Sequence, residues 1–162
     1  IRHPKTFDTD NLGPNEGPPT LDRWTVDLAD GKVSESRIDD RGQEFPRVDE
    51  RLVGRRHRYG YAPTVGEGTS GGNVLLKHDF VGGNTQSRVF EPYHELGEFV
   101  FQPSSADAAE DDGVVMGYVY DRTTDRSELA ILDAQTLEDV ARIRLPHRVP
   151  AGFHGNWVPS DG

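Results

Sequence analysis

Glycine and proline punctuate this chain too densely for long helices. It carries 18 glycines and 11 prolines in 162 residues, against a usual share of about 12% for the two together. Glycine loses the most backbone freedom on ordering, and proline lacks an N–H donor, so each tends to interrupt a regular element. What lies between them is short and alternates. Residues 21–28 put Trp24, Val26 and Leu28 on one face, and residues 33–38 return after an Asp30-Gly31 turn. Residues 56–62 set His57, Tyr59 and Tyr61 on one side. Further runs at 73–80, 86–91, 97–101, 113–120 and 127–133 read as strands. A sixth covers 140–145, after a short helical turn near 136–139. Apolar and polar residues alternating over such lengths signal half-buried strands. Residues 1–20, with four prolines, read as an extended loop, 39–55 as irregular and charged, and 63–72 as a flexible loop. The expected class is therefore all-β, with mostly antiparallel meanders. A sandwich, a barrel and a propeller all fit, since no internal repeat selects among them.

The balance of residue types narrows the functions. A net charge of −10 argues against a nucleic-acid partner, because phosphate binding needs a basic surface. The absence of cysteine removes disulfides and thiolate ligands and fits a cytoplasmic protein. No run of about 18 apolar residues exists to span a membrane as a helix. Only 33% of residues are hydrophobic and the first is Ile1. Residues 1–162 are thus expected to be a piece of one larger domain rather than a self-sufficient core.

Several motif matches fail on context. Gly66-Glu67-Gly68-Thr69-Ser70-Gly71 fits the dinucleotide fingerprint, and Gly68-Thr69-Ser70-Gly71-Gly72 fits the hydrolase elbow around Ser70. Both need a helix next, and the β-like Val74-Leu75-Leu76 follows instead. His94-Glu95-Leu96-Gly97-Glu98 lacks the second histidine of a zincin. Glu110-Asp111-Asp112-Gly113 lacks spaced calcium ligands and reads as a solvated turn. Arg51, Arg55, Arg56 and Arg58, in an acidic chain, read as an ion-pair network.

Three segments remain, each with an ionisable group beside bulky apolar residues. They are Gln43-Glu44-Phe45-Pro46-Arg47, Leu96-Gly97-Glu98-Phe99-Val100-Phe101 and Pro150-Ala151-Gly152-Phe153-His154-Gly155-Asn156-Trp157. Such a group either faces solvent at a strand end or is buried with a partner. Together with Leu21-Asp22-Arg23-Trp24, Gly60-Tyr61, Lys77-His78-Asp79, Glu110-Asp111-Asp112-Gly113, Glu128-Leu129-Ala130-Ile131-Leu132-Asp133-Ala134 and Leu145-Pro146, the series resembles the C-terminal third of the carotenoid cleavage oxygenases. That family also holds lignostilbene dioxygenases and a retinoid isomerase of the pigment epithelium.

The resemblance implies the C-terminal blades of a seven-bladed β-propeller with iron(II) on its axis, held by four histidines. His154 matches the last of the four. Glu44 and Glu98 match two of three glutamates that orient ligand histidines, and Glu98 matches the one paired with the last. The implied chemistry is cleavage of a conjugated alkene by dioxygen into two carbonyls. The substrate class is a carotenoid, an apocarotenoid or a stilbene-like molecule. Some relatives isomerise or hydrolyse esters at the same metal, and peripheral membrane contact through regions outside this chain is compatible with the resemblance. The chemistry is consistent: imidazole suits iron, and its other nitrogen needs an acceptor to fix the ring. Gly152 and Gly155 beside His154 suit a crowded axis. The other ligands are expected upstream of residue 1, and His3, His57, His78, His94 and His147 are expected at the surface or at strand ends. The competing reading is a non-catalytic β-rich binding module. It predicts exposed aromatics in one groove, with Glu44, Glu98 and His154 far apart.

Overall fold

The computed structural model describes residues 18–65 and 71–158, and strands make up most of its regular structure. They are β1 (Leu21–Val26), β2 (Val33–Asp39), β3 (Tyr59–Val65), β4 (Gly71–Asp79), β5 (Asn84–Val89), β6 (His94–Pro103), β7 (Gly113–Asp121), β8 (Arg126–Asp133) and β9 (Asp139–Arg144). Each pairs antiparallel with its neighbour in sequence. The result is three successive meanders, β1-β2, β3-β4-β5 and β6-β7-β8-β9. One 3₁₀ turn, Glu50–Leu52, interrupts the irregular stretch and was not foreseen. The helical turn expected at 136–139 is a single hydrogen-bonded turn closed by Leu137 N–H on Asp133 O at 2.9 Å.

The core lies between the second and third sheets. In β7, Val115, Gly117 and Val119 are buried while Val114, Met116 and Tyr118 face away, the period-two pattern of a one-sided strand. Leu75, Phe90, Phe99, Phe101 and Leu132 join them in one cluster. Tyr61 stacks on Phe101 with centroids 6.2 Å apart. Its hydroxyl donates to Ala134 O at 3.1 Å. Burial pushes this phenol far above its ordinary range, so it stays a donor.

Several large apolar side chains outside that core are bare. In the β1-β2 hairpin Trp24 is 64% exposed, and Val26, Leu28 and Val33 are exposed with it. A piece of a larger domain should leave apolar faces bare where neighbours would pack, with Val114, Met116, Ile131 and Ile143 as candidates. Ile143 is exposed, but the other three are half-buried. Met116 and Ile131 are direct cross-strand partners and shield each other.

His78, expected at the surface or at a strand end, is the last residue but one of β4 and is buried. It is 2% exposed and sits inside β4, where Leu75, Leu76, Lys77 and His78 are all buried. Its Nε2–H donates to Gln43 Oε1 at 2.7 Å, and the Thr85 hydroxyl donates to Nδ1 at 3.0 Å. Local pattern could not reveal this, because the partner Gln43 comes from a separate loop. Burial lowers the His78 pKa, Asp39 nearby opposes this, and Arg41 adds to it. The unfolded chain binds this proton near pH 6.5, and the folded chain only at lower pH. Stability from neutral His78 is therefore complete above about pH 6.5 and declines as pH falls below it. Thermal melts of the full-length protein should show this acid slope, and His78→Gln should flatten it. An unchanged slope in the variant would assign the effect to another group.

The acidic run is not merely a solvated turn. Glu110 accepts the N–H groups of Arg58 and Tyr59 at 2.5 and 2.7 Å, and Asp111 pairs with the buried Lys77 at 2.7 Å. Within the arginine cluster, Arg51 pairs with Asp49 and Arg58 with Asp79. His3, the Gly66–Ser70 part of the rejected motifs and most of the 1–20 loop lie outside the described residues.

Candidate metal centre

The site is assembled from three places in the chain. Glu98 comes from an irregularity in β6. Leu96 pairs with Val119 and Phe99 with Gly117, so Gly97 and Glu98 together oppose Tyr118. This is a β-bulge, and bulges re-aim side chains. Phe99 keeps its place in the core while Glu98 turns out of the regular alternation. Gly117 opposite makes room, since a Cβ there would stand 2.6 Å from the Phe99 ring and 2.7 Å from the Glu98 carbonyl.

The second part is the segment 43–50. It is stitched along the edge of β3 by Glu44 N–H to Pro63 O at 3.1 Å and by reciprocal bonds between Arg47 and Tyr61, both 2.7 Å. Gln43, fully buried, anchors its start on His78. Between these ties Phe45 adopts φ +50°, unusual for a bulky side chain and worth about 1–3 kcal/mol of strain. The Phe45 ring meets the His154 ring edge-on, centroids 5.6 Å apart.

The third part is the stretch after β9 that carries His154. Residues 151–158 have no regular structure and are exposed. Polar contacts hold them. Gly155 N–H donates to Glu98 Oε2 at 2.7 Å, and Arg47 donates to Gly155 O at 3.0 Å. The Asn156 amide donates to Glu50 at 3.2 Å. No neighbouring atom lies within 4 Å of where a Cβ would stand on Gly152 or Gly155, so the crowding expected there does not arise among the described residues.

These parts bring His154 and Glu98 together although 56 residues separate them. Nδ1 of His154 lies 3.2 Å from Glu98 Oε1. The Glu98 side chain is 4% exposed and that of His154 75% exposed. A buried carboxylate costs several kcal/mol unless partnered. Here its partners are the imidazole, the Gly155 amide and Arg47 at 3.1 Å. With Nδ1–H directed at the carboxylate, Nε2 keeps its lone pair on the open side. That is the arrangement by which a carboxylate fixes the tautomer of a metal-binding histidine. Glu44 is half-buried, and its neighbour Phe45, not Glu44 itself, makes the ring contact described above. Among the described residues no group of three or more His, Cys, Asp or Glu could hold a metal, so His154 is a single donor. The scatter of these residues required by a binding module is absent for Glu98 and His154.

A polar cleft of about 260 Å³ near Arg58, Lys77, Asp79 and Asp111 is a weaker candidate. Its charges already pair with one another.

The family profile for retinal pigment epithelial membrane protein matches residues 2–159. The chain belongs to this family, the carotenoid cleavage oxygenases. A carotenoid cleavage oxygenase of Mycobacterium tuberculosis is 46% identical over 99% of the chain, which covers 33% of that protein. Apocarotenoid-15,15'-oxygenase of Synechocystis is 37% identical over 92% of the chain, which covers 30% of that protein. The crystal structure of cobalt-substituted Synechocystis apocarotenoid oxygenase superposes with a TM-score of 0.83 at 34% identity, over 96% of this chain and 33% of the other. The chain thus spans about a third of the length of these relatives. Solved carotenoid cleavage oxygenases of this kind are β-propellers, and the three antiparallel meanders are part of that architecture. The cobalt-substituted relative also indicates a metal site in the family.

Arg47 is the site residue that sequence reading missed. It belongs to a quoted motif, but arginines in acidic chains commonly make surface pairs. The glycines inside strands, Gly97 and Gly117, were the available signal for the bulge.

Proposed function

We propose that this chain supplies part of the centre of a non-haem iron(II) oxygenase. The reaction is cleavage of a conjugated carbon–carbon double bond by dioxygen, each alkene carbon receiving one oxygen atom to give two carbonyls. One observation carries this reading: the buried Glu98 carboxylate stands behind Nδ1 of the exposed His154 ring. His154 would ligate through Nε2, and Glu98 would hold its tautomer and orientation. Glu44 is proposed as a second carboxylate of the same kind, serving a ligand histidine outside this chain. Three further histidines there complete the set. Four neutral imidazoles leave the metal charge uncompensated, and the two glutamates offset it. Iron(II), when bound, would activate triplet dioxygen toward a closed-shell alkene, the alkene itself supplying the electrons that dioxygen accepts.

The family favours an apolar polyene or stilbene-like substrate, since the relatives include carotenoid, apocarotenoid and lignostilbene enzymes. Residues 1–162 are then the last blades of one larger propeller domain. A cytoplasmic protein that meets the membrane surface through other segments fits such a substrate.

The test uses the full-length protein, stripped by chelation and reloaded. Iron(II) should restore cleavage of a carotenoid, apocarotenoid or stilbene panel under air, with one aldehyde or ketone on each fragment. Zinc(II) should not. Full turnover in the stripped protein would overturn the reading.

A further inference from the structure

We propose that Arg47 is a positioning residue for the His154 centre, acting through Glu98 and Gly155. The proposal rests on His154 being a metal ligand. Its basis is the way one guanidinium meets three separate segments. Nη1 lies 3.1 Å from Glu98 Oε2 and donates to Gly155 O at 3.0 Å. Nη2 reaches the Glu50 carboxylate and Asn156 Oδ1, the latter at 3.3 Å.

Two consequences follow from this geometry. The first concerns the carboxylate. With Oε2 occupied by Arg47 and the Gly155 amide, Glu98 cannot rotate freely about its last bond, and Oε1 stays turned toward Nδ1 of His154. The second concerns the peptide chain. Gly155 is gripped at both polar ends, its N–H by Glu98 and its C=O by Arg47. The residue directly after the ligand is therefore fixed, although nothing apolar packs around it. Arg47 can act as this brace because its own backbone is bonded in both directions to Tyr61 in strand β3. A planar fork of donors is needed to span carboxylate, carbonyl and amide together. A lysine ammonium carries the charge on one point and cannot span them.

The experiment uses the full-length protein with cobalt(II) as the probe, read by binding titration and by the visible d–d absorption of the bound ion. Arg47→Ala and Arg47→Lys should each weaken cobalt binding about 10–100-fold and shift the absorption bands. Glu98→Gln should do the same. The double variant Arg47→Ala with Glu98→Gln should bind no more than about threefold worse than the weaker single variant, because both act on one contact. Arg47→Lys keeps charge and stem length, so it serves if Arg47→Ala does not fold. Wild-type affinity and spectrum in Arg47→Lys, or losses that multiply in the double variant, would overturn the proposal. His154→Ala separates the two claims. If it binds cobalt like the wild type, the ligand reading itself has failed. If it loses the ion while the Arg47 variants keep it, only the role of Arg47 has failed.

Discussion

Replacing His154 with alanine should leave the full-length protein folded and without its iron. Among the described residues the ring is three-quarters exposed and meets the edge of Phe45 and the Glu98 carboxylate. A substitution at so open a position changes stability by about 0.5 kcal/mol or less. The buried carboxylate behind it is not orphaned, because Glu98 retains the Gly155 amide and Arg47. The stability effect is thus small while the binding effect is large. A four-histidine site that loses one neutral donor loses both a bond and the geometry set by the other three. Elemental analysis of the purified variant should show iron below one-tenth of the wild-type content, with the melting curve of the chelator-stripped wild type. His57→Ala, also at an exposed histidine but one whose ring meets Phe80 and the Arg55 carbonyl, should keep the full content. Stoichiometric iron in His154→Ala would remove this residue from the ligand set, whatever the family resemblance.

Phe99→Ala should have the opposite profile, a severe loss of stability. Phe99 is completely buried, packs against Phe90 at 6.2 Å between centroids, and faces Gly117 across the bulge. Truncating a buried phenylalanine costs about 3–5 kcal/mol, from lost transfer energy and the cavity left behind. The surrounding backbone cannot collapse into that space easily, because β6 is held in its own sheet by the ladder to β7. The residue also sets the far side of the bulge, so a loosened Phe99 should let Glu98 drift from His154. Denaturant titration of the full-length protein should show the lower midpoint, and iron should bind more weakly in whatever fraction remains folded. A variant within about 0.5 kcal/mol of the wild type would show that the second and third sheets do not depend on this ring.

Most strands were legible because alternation is local. The expected runs at 73–80, 113–120 and 127–133 fall within a residue or two of β4, β7 and β8. The bulge was not legible. In a regular strand Leu96, Glu98 and Val100 would share a face, and only the pairing of Leu96 with Val119 and Phe99 with Gly117 shows that they do not. The burial of His78 was missed because cover on both faces of β4 depends on what the 43–50 segment lays over it. The nearness of Glu98 and His154 came from family resemblance, since no local pattern relates residues 56 positions apart. Arg47 escaped notice because a brace is defined by the segments it joins, and those meet only in three dimensions.

The histidine-bearing stretch follows β9 in the chain and folds back onto β6 and the 43–50 segment. During translation, every strand described here leaves the ribosome before residue 154 does. Domains begin to form as they emerge, so the receiving carboxylate and its arginine can be in place before the ligand arrives. A nascent chain stalled between β9 and residue 154 would hold every described strand yet lack this donor. The contact between Glu98 and His154 is thus completed by chain made after all the sheets that receive it.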